Sequence, residues 1–520
     1  MKKTSYLLLA GLALLACKKS VQTVETADLQ NPQTTMSAAA IDDHIISTVK
    51  ATGSFGWHQA SDDMLWSALE LSDHVLSIGY KTAAAPQDIS ASIHVLKVNE
   101  GDWAQARQLV LQTVLEEERR LNPSLQASDI LAYDESTLPV LNVLVRNIGT
   151  IKRLRSSQLV RYADAMGYHP ANTGLFGVDA NIAQTSSSGC GSNVAEAGLT
   201  SPADFTTISP NARQSWNYGF HGIPAAWNKS SGGGRRIMII DTGLSPDQTL
   251  FSSLWNTGLS SGRTVQRVVT LRRPGFLGFG FGSVETSTAD ACGHGTSMAG
   301  AAVSPRNASG GTVGVAYNAG LTSVRAAVDV LISESREVKG VADAFVLAGN
   351  SADVNIVSMS MGSLTSQGSI SDAVNFAHNR GKLIFCAAGT SFGLTAGWYG
   401  VVFPANMSIV NAVTGVKDDG RTRCDACHDG SEVDFTVVME KRSNGRKPLS
   451  TAQSGLAPST VGGSSVATAT TSAMAALIWS RFPTLTRDQV LQRMILSASN
   501  YPSKNGSLGW GNVNADLATN

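Results

Sequence analysis

A run of four apolar residues that ends in an acid constrains the fold of this chain more than any other feature. Residues 237–240 read Ile-Met-Ile-Ile, and Asp241 follows directly. An uninterrupted apolar run of this length predicts a strand that is buried on both faces. From about residue 212 onward, such strands alternate with helices rich in small residues. This alternation predicts an α/β fold with a mostly parallel sheet flanked by helices.

Length and charge narrow the class of protein. The chain has 520 residues, so we expect at least two folding units. Its 40 Lys and Arg residues balance its 40 Asp and Glu residues, which gives a formal net charge of zero. A nucleic-acid-binding protein needs a basic surface, and no basic run supplies one. We therefore predict no nucleic-acid partner.

The first 17 residues predict an export signal. Lys2 and Lys3 precede a Leu- and Ala-rich core that is too short to span a bilayer. The core ends in Leu-Leu-Ala-Cys at residues 14–17, which resembles the lipobox of bacterial lipoproteins. The resemblance implies lipidation of Cys17 and a membrane-anchored lipoprotein of a bacterial cell envelope. The alternative is an ordinary secretory signal with a chance cysteine, and it implies a secreted protein.

The remaining chain divides into four stretches by composition. Residues 18–40 are polar and rich in Thr and Gln, which predicts a flexible tether. An α+β region covers residues 41–175, and its core at 92–170 predicts a small ferredoxin-like unit. A linker covers 176–211, where residues 185–192 read TSSSGCGS. The parallel-sheet domain covers 212–520.

The ferredoxin-like unit is assigned from four elements. Residues 93–98 alternate apolar and polar side chains in part, which predicts a strand. Asp102, with Gln105 three residues later, predicts the N-cap of a helix. Residues 138–146 predict a second strand, and residues 151–165 predict a second helix.

Three short segments of the C-terminal domain carry residues suited to catalysis. Asp241 ends the apolar strand, where α/β proteins place their sites, and Thr-Gly follows it. Glycines flank His294, and Ser465 stands where Gly-Gly-Ser-Ser opens a long apolar helix. Each segment alone has a structural explanation, because serine is a favoured N-cap and histidines beside glycines are common. Together they occur in the order Asp, His, Ser, which is the order of the subtilisin triad.

The three segments resemble the motifs of the subtilases, the subtilisin-like serine proteases of peptidase family S8. The family's strand-Asp-Thr-Gly, His-Gly-Thr-x-x-Ala-Gly and Gly-Thr-Ser-Met-Ala motifs all have counterparts here. Further matching stretches are GVAYNA at 314–319, SMSMG at 358–362, FPA at 403–405 and GWGNVNA at 509–515. The resemblance covers roughly residues 212–518.

This resemblance implies a serine endopeptidase that cuts protein or peptide substrates through an acyl-enzyme. Ser465 is the implied nucleophile, His294 the general base and Asp241 the group that orients the histidine. The implied substrate-binding residues are Ser360, Met361, Gly362 and Gly389, which would pair with an extended peptide.

The oxyanion position departs from the family pattern. Residues 385–390 read FCAAGT, and the family has Asn where this chain has Thr390. Loss of that Asn in subtilisin costs about 100- to 1,000-fold in turnover. A threonine hydroxyl can also donate, so we expect an active but slow enzyme with Thr390 at the oxyanion site. Alternatively, Thr390 only braces the loop, and Ser391 or a water molecule donates instead. The alternative is a catalytically silent subtilase fold that binds peptides.

The cysteines allow several outcomes. Lipidation of Cys17 would leave five, so at least one thiol stays unpaired within the chain. Cys424 and Cys427 predict a local disulfide, although the following His428 also fits a c-type haem motif and hence a haem-bearing sensor. Cys386 is expected to be a packed thiol, and whether Cys292 pairs with Cys190 stays open.

The resemblance also implies partners and processing. Subtilases are often preceded by a ferredoxin-like propeptide that inhibits the enzyme, so this chain is expected to be a zymogen with its own propeptide as intramolecular inhibitor. The alternative is a retained N-terminal binding domain. No cofactor is required, and although many members bind structural calcium, no loop here offers ligands that we can assign. We predict no metal-binding residue.

Overall fold

The computed structural model describes residues 35–168, 190, 193–274, 282–391 and 400–520. Cys17, the predicted signal and residues 18–34 of the predicted tether lie outside this part of the chain. Across the described ranges, no helix combines the length and the apolar character needed to cross a membrane.

Residues 35–168 form an α+β region. Its helices are α1 (Ala38–Thr52), α2 (Asp62–Glu70), α3 (Gly101–Glu118), α4 (Ala127–Ile130) and α5 (Ile148–Arg155). Its strands are β1 (Phe55–Gly56), β2 (Val75–Tyr80), β3 (Leu131–Tyr133), β4 (Val140–Leu144) and β5 (Val160–Ala165). Four strands form an antiparallel sheet in the order β3-β4-β2-β5. This order, with α3 and α5 as its two long connections, is the ferredoxin-like arrangement.

The ferredoxin-like unit begins earlier than the sequence indicates. Its first strand is β2, so the unit extends well before residue 92. The strand predicted at 93–98 is wrong, because Ile93–Val95 is a short 3-10 helix. Ile93 is buried in a cluster with residues of the C-terminal domain, so its apolar character serves packing between domains.

The helix boundaries of this unit also differ from the prediction. Helix α3 has Glu100 at its N-cap position, and Asp102 lies in the first turn. The helix predicted at 151–165 is two elements, because α5 ends at Arg155 and β5 then pairs with β2. The pairing of β5 is a long-range contact that local periodicity does not report.

The described residues from 193 onward add twelve strands and seven α-helices. The strands are β6 (Phe205–Ile208), β7 (Ala212–Ser215), β8 (Arg236–Asp241), β9 (Val265–Val269), β10 (Gly320–Arg325), β11 (Ile356–Met359), β12 (Thr365–Ser366), β13 (Leu383–Ala387), β14 (Asn411–Lys417), β15 (Val433–Glu440), β16 (Leu449–Thr451) and β17 (Pro458–Thr460). The helices are α6 (Ile223–Ala226), α7 (His294–Val303), α8 (Ser335–Asn350), α9 (Gly368–Asn379), α10 (Gly463–Arg481), α11 (Arg487–Leu496) and α12 (Ala515–Ala518).

A seven-stranded sheet forms the centre of this domain, in the order β15-β14-β13-β11-β8-β10-β9. All its neighbouring strands are parallel. Side chains of β8 alternate between the two faces: Ile237 and Ile239 lie in the cluster with α7 and α10, and Met238 and Ile240 lie in the cluster with α8 and α9. Both faces are therefore covered, which explains the uninterrupted apolar run and confirms the predicted fold class.

Part of the predicted linker is packed against the C-terminal domain. Strand β6 pairs with β7 in an antiparallel hairpin. The Glu196 N–H donates to the Pro458 carbonyl at 2.9 Å, and the Gln453 N–H donates to the Asn193 carbonyl at 2.7 Å. The structure thus differs from the prediction over residues 193–211.

The N-terminal sheet packs on helices α8 and α9. The Arg161 guanidinium donates to both carboxylate oxygens of Asp372 in α9, at 3.0 and 2.5 Å. Lys339 of α8 pairs with Glu135 at 3.1 Å. At the N-terminus of α9, the Gly368 N–H donates to Asp164 at 2.8 Å. At the N-terminus of α8, the Ser335 hydroxyl donates to Asp73. An acidic side chain therefore lies at the first turn of each helix and accepts a hydrogen bond there.

Because burial raises the pKa of Asp164 to about 7, we predict that the N-terminal region is held less firmly as pH rises. The free carboxyl has a pKa near 3.8, so docking favours the protonated form. The stabilisation is complete below about pH 4 and is lost as pH rises through about 7. The urea midpoint for unfolding of this region should be lower at pH 8 than at pH 5, measured on the full chain carrying Ser465→Ala, which removes the predicted nucleophile.

The Asp164→Asn variant is the matched control, since the amide stays neutral and still accepts from Gly368. It should reduce the difference between the two pH values. Asp73, whose pKa burial also raises, contributes in the same direction. An unchanged difference in Asp164→Asn would show that another group controls the pH dependence.

Candidate active site

Asp241 and His294 meet at the carboxyl end of the central strand. Asp241 is the last residue of β8 and is fully buried. His294 is the first residue of α7, and its Nδ1 lies 2.8 Å from Asp241 Oδ1. A carboxylate only accepts, so Nδ1 carries the hydrogen and leaves Nε2 as the acceptor of a proton.

A glycine allows the close approach of these two elements. A Cβ atom at Gly295 would lie 2.3 Å from the Gly243 carbonyl oxygen and 3.3 Å from Asp241 Cβ. Any larger residue would push the start of α7 away from the end of β8. The glycine after His294 is therefore required by the contact between His294 and Asp241.

The charge of Asp241 controls the protonation of His294. Burial alone lowers the pKa of His294, but the Asp241 charge and hydrogen bond oppose it, with smaller contributions from Asp290 and Asp329. The net result is a pKa raised above the ordinary value for histidine. The protonated imidazole is thus stabilised, as a general base requires after it has taken a proton.

Ser465 lies in the first turn of α10, the helix that packs beside α7 in the same hydrophobic cluster. The N–H groups of a first turn have no partner within the helix, so they are available as donors. The Ser360 hydroxyl donates to the Ser465 carbonyl at 3.0 Å and fixes its backbone. Within the described residues, no hydrogen bond joins Ser465 to His294. Such contacts are often long before substrate binds.

Asp290 is a residue of this site that the sequence reasoning missed. Its buried carboxylate accepts hydrogen bonds from the Gly293 N–H, the Thr296 N–H and the Thr296 hydroxyl, each at 2.7 Å. It also accepts from the Thr242 hydroxyl at 2.8 Å. Asp290 therefore connects the start of α7 to the residue after Asp241. An acid a few residues before a helix is a recognisable capping signal.

Thr390 lies beside the start of α10. Its Oγ1 accepts from the Ser464 N–H at 3.1 Å and lies 2.7 Å from Ser464 Oγ. Ser464 Oγ also accepts from the Gly389 N–H at 3.3 Å. These contacts join the segment after β13 to the residue that precedes Ser465.

The remaining substrate-binding candidates follow β11. Met361 is buried in the hydrophobic core. Gly362 has both backbone groups engaged within the chain: its N–H donates to the Val330 carbonyl at 3.0 Å, and its carbonyl accepts from the Ile332 N–H at 2.9 Å. The backbone of Gly362, predicted to pair with a peptide, is therefore occupied by the chain itself in this structure.

Two disulfides lie near these residues. Cys424 is joined to Cys427, and Cys190 is joined to Cys292, two residues before His294. Cys386 is a buried free thiol in β13 whose pKa burial raises. Since both sulfurs of the Cys-x-x-Cys-His motif form the disulfide, the arrangement does not fit haem attachment. Among the described residues, no cluster of three His, Cys, Asp or Glu side chains could hold a metal ion.

With this geometry established, comparison with known proteins identifies the family. Residues 232–511 match the Subtilase family, peptidase S8. The chain belongs to this family, and it is a subtilisin-like serine endopeptidase.

Similar proteins include an alkaline protease, a subtilisin and a protease of known structure. The chain is 30% identical over 310 residues to the thermostable alkaline protease of Halalkalibacterium halodurans, which covers 58% of this chain and 73% of that protein. It is 29% identical over 299 residues to subtilisin Savinase of Lederbergia lenta, with coverages of 57% and 95%. The structure of the MycP3 protease from the type VII (ESX-3) secretion system matches with a TM-score of 0.48 and 22% identity, over 65% of this chain and 93% of that chain.

We predict that Asp290→Asn lowers both stability and turnover. The amide would place an N–H group against backbone N–H donors, so at least one charge-assisted hydrogen bond is lost. The free energy of unfolding should fall by roughly 2–4 kcal/mol. Turnover should fall by about 10-fold or more, because the start of α7 carries His294. Urea denaturation and a casein digest measure the two effects.

Asp488→Asn is the matched control, because Asp488 lies in the first turn of α11 with its side chain 73% exposed. This change should alter stability by about 0.5 kcal/mol or less. If Asp290→Asn had the stability and turnover of the wild type, Asp290 would have no role in holding the start of α7.

Proposed function

We propose that this endopeptidase cuts peptide bonds through an acyl-enzyme formed on Ser465. His294 takes the Ser465 proton as Oγ attacks the scissile carbonyl, and then gives that proton to the leaving amine. Water, deprotonated by the same histidine, then releases the acyl group and restores the Ser465 hydroxyl. Asp241 orients the imidazole and stabilises its charged form throughout.

The observation that carries this proposal is the buried 2.8 Å contact between His294 Nδ1 and Asp241 Oδ1. It fixes the tautomer in which Nε2 accepts a proton. The contact lies at the start of α7, which packs beside α10, the helix that presents Ser465.

The oxyanion would bind the Ser465 N–H and the Thr390 hydroxyl. Thr390 Oγ1 accepts from the Ser464 N–H through one lone pair. Its single hydroxyl hydrogen can therefore be donated to one acceptor only. If Ser464 Oγ donates to Thr390, the Thr390 hydrogen is left for the oxyanion; in the reverse arrangement, that hydrogen is consumed by Ser464. Two rotamers therefore compete, and this competition supports the expectation of a slow enzyme.

We propose that the N-terminal region is an intramolecular inhibitor that is removed on maturation. Its ferredoxin-like sheet and the acids at the N-termini of α8 and α9 support this role. Near the end of this region, the Tyr168 N–H donates to the Ser333 carbonyl at 3.0 Å. The chain thus passes beside Ser333, which directly follows Val330 and Ile332, the partners of Gly362 in the proposed substrate-binding strand.

We also propose export and a lipid anchor at Cys17. The short apolar core before that residue supports export, as do the two disulfides, which persist in an oxidising compartment.

The wild-type protein should be labelled by a fluorophosphonate probe, because the activated Ser465 hydroxyl attacks phosphorus. The Ser465→Ala variant should lose the label. The neighbouring Ser464→Ala is the matched control and should keep it, at a lower rate since Ser464 contacts Thr390. The readout is in-gel fluorescence with folding checked by circular dichroism.

The result also separates the enzyme from a silent peptide-binding protein. Folded wild-type protein without label would exclude the acyl-enzyme mechanism. Label that persists in Ser465→Ala would mean that another residue is the nucleophile.

We expect maturation to cut the chain on the N-terminal side of Cys190. Proteases need an extended, accessible backbone, whereas residues 193–211 are paired with the C-terminal domain. The N-terminal domain should then separate from the mature enzyme on a gel without reductant. The mature chain should begin before residue 190 and keep the disulfide to Cys292. N-terminal sequencing and mass spectrometry of a non-reduced digest measure both.

A cut on the C-terminal side of Cys190 would be recognised on the same gel. A cut after Cys190 would leave the N-terminal domain attached through the disulfide until a reductant is added. The Cys190→Ser variant would then release it without reductant.

A further inference from the structure

The loop that carries the Cys-x-x-Cys-His motif lies directly beside the proposed oxyanion segment. The Ser391 N–H donates to the Ala426 carbonyl at 2.7 Å, and the His428 N–H donates to the Gly389 carbonyl at 2.9 Å. These two bonds make the loop an antiparallel partner of residues 389–391, with Thr390 opposite Cys427. The motif is therefore a structural neighbour of the active site.

The imidazole of His428 extends this contact to the side chains. Its Nδ1 lies 2.9 Å from the Gly400 carbonyl oxygen, so Nδ1 carries the hydrogen. Nε2 is then an acceptor in the neutral ring, and the Ser391 hydroxyl donates to it at 2.8 Å. Burial lowers the pKa of His428 to about 4, which keeps the ring neutral at physiological pH.

The same ring packs directly against the backbone at Gly389. This glycine has a φ of +127°, and a Cβ atom there would lie 2.4 Å from His428 Nδ1. Any side chain at residue 389 would therefore collide with the His428 ring. On the far side, the disulfide between Cys424 and Cys427 closes the turn that leads into His428, and the Thr414 hydroxyl donates to the His428 carbonyl.

We propose that His428 is a positioning residue for the oxyanion side of the active site. It acts through Ser391 and Gly389, which flank Thr390 and hold its hydroxyl against Ser464. The hydroxyl of Ser391 is committed to His428, so Ser391 supports the site and does not itself donate to the oxyanion. This inference rests on the proposed function, since it assigns a support to the residues of that site.

A double-mutant cycle on the mature enzyme tests this. His428→Asn keeps a donor for Gly400 but is too short to accept from Ser391, and Ser391→Ala removes the same bond from the other side. Each change should lower kcat by about 10- to 100-fold with KM unchanged, as expected for a misplaced oxyanion donor. The double variant should be no slower than the slower single variant. Turnover is measured on labelled casein, per active site titrated with the fluorophosphonate probe.

His221→Asn is the matched control for loss of a buried neutral histidine. Its Nδ1 lies 3.0 Å from the Val513 carbonyl oxygen, its Nε2 accepts from the Val438 N–H at 3.0 Å, and burial lowers its pKa to about 4. It contacts strand β15 and not the oxyanion segment. It should reduce the number of titratable sites through lower stability while kcat per site stays unchanged.

The outcomes separate the two proposals. Labelled enzyme with wild-type kcat per site in both Ser391→Ala and His428→Asn would overturn the positioning role and leave the proposed function standing. Losses that add fully in the double variant would also overturn it. If His428→Asn does not fold, Ser391→Ala alone decides, since it removes one hydroxyl. A wild-type protein that takes no label would overturn the proposed function and this inference together.

Discussion

The buried hydrogen bond between Asp241 and His294 is the contact on which the rest of the site depends. It requires a strand that ends in an acid at the middle of a parallel sheet and a helix that begins within hydrogen-bonding distance of that acid. The alternating faces of β8 satisfy the first condition, because helices cover both sides of the sheet. Gly295 and Asp290 satisfy the second, since one permits the close approach of α7 and the other holds its first turn.

The sequence predicts what local patterns encode. The run at residues 237–240 and the helix that begins before Ser465 are visible because hydrophobic periodicity and small-residue composition mark them. The strand expected at 93–98 and the helix expected at 151–165 were wrong, since contacts distant in sequence decide those segments. The site follows the same division. Motif resemblance points to Asp241, His294 and Ser465, whereas the contact between His428 and Ser391 joins residues 37 positions apart and becomes visible only in three dimensions.

The N-terminal domain packs on the C-terminal domain through noncovalent contacts, whereas two disulfides of the described residues lie next to the proposed site. The N-terminal sheet meets α8 and α9 through buried ion pairs and through the carboxyl groups of Asp73 and Asp164, and burial raises the pKa of both carboxyl groups. Each disulfide lies next to a segment of the proposed site: Cys190–Cys292 precedes the helix that begins at His294, and Cys424–Cys427 precedes His428. The part that would be released on the proposed maturation is thus held by noncovalent contacts, whereas a disulfide lies close in sequence to His294 and another to His428.

Gly362 of the proposed substrate-binding strand pairs with Val330 and Ile332 in this structure. This closed state competes with an open state in which Gly362 is available to a peptide. A peptide that pairs with Gly362 can bind only to molecules in which residues 330–332 have moved away. Its apparent affinity is therefore the intrinsic affinity multiplied by the fraction of open molecules. A preference of about 1.4 kcal/mol for the closed pairing would weaken binding about tenfold. Because the same fraction applies to every such peptide, substitutions at residues 330–332 would change the apparent affinity for all of them by the same factor, without altering Asp241, His294 or Ser465.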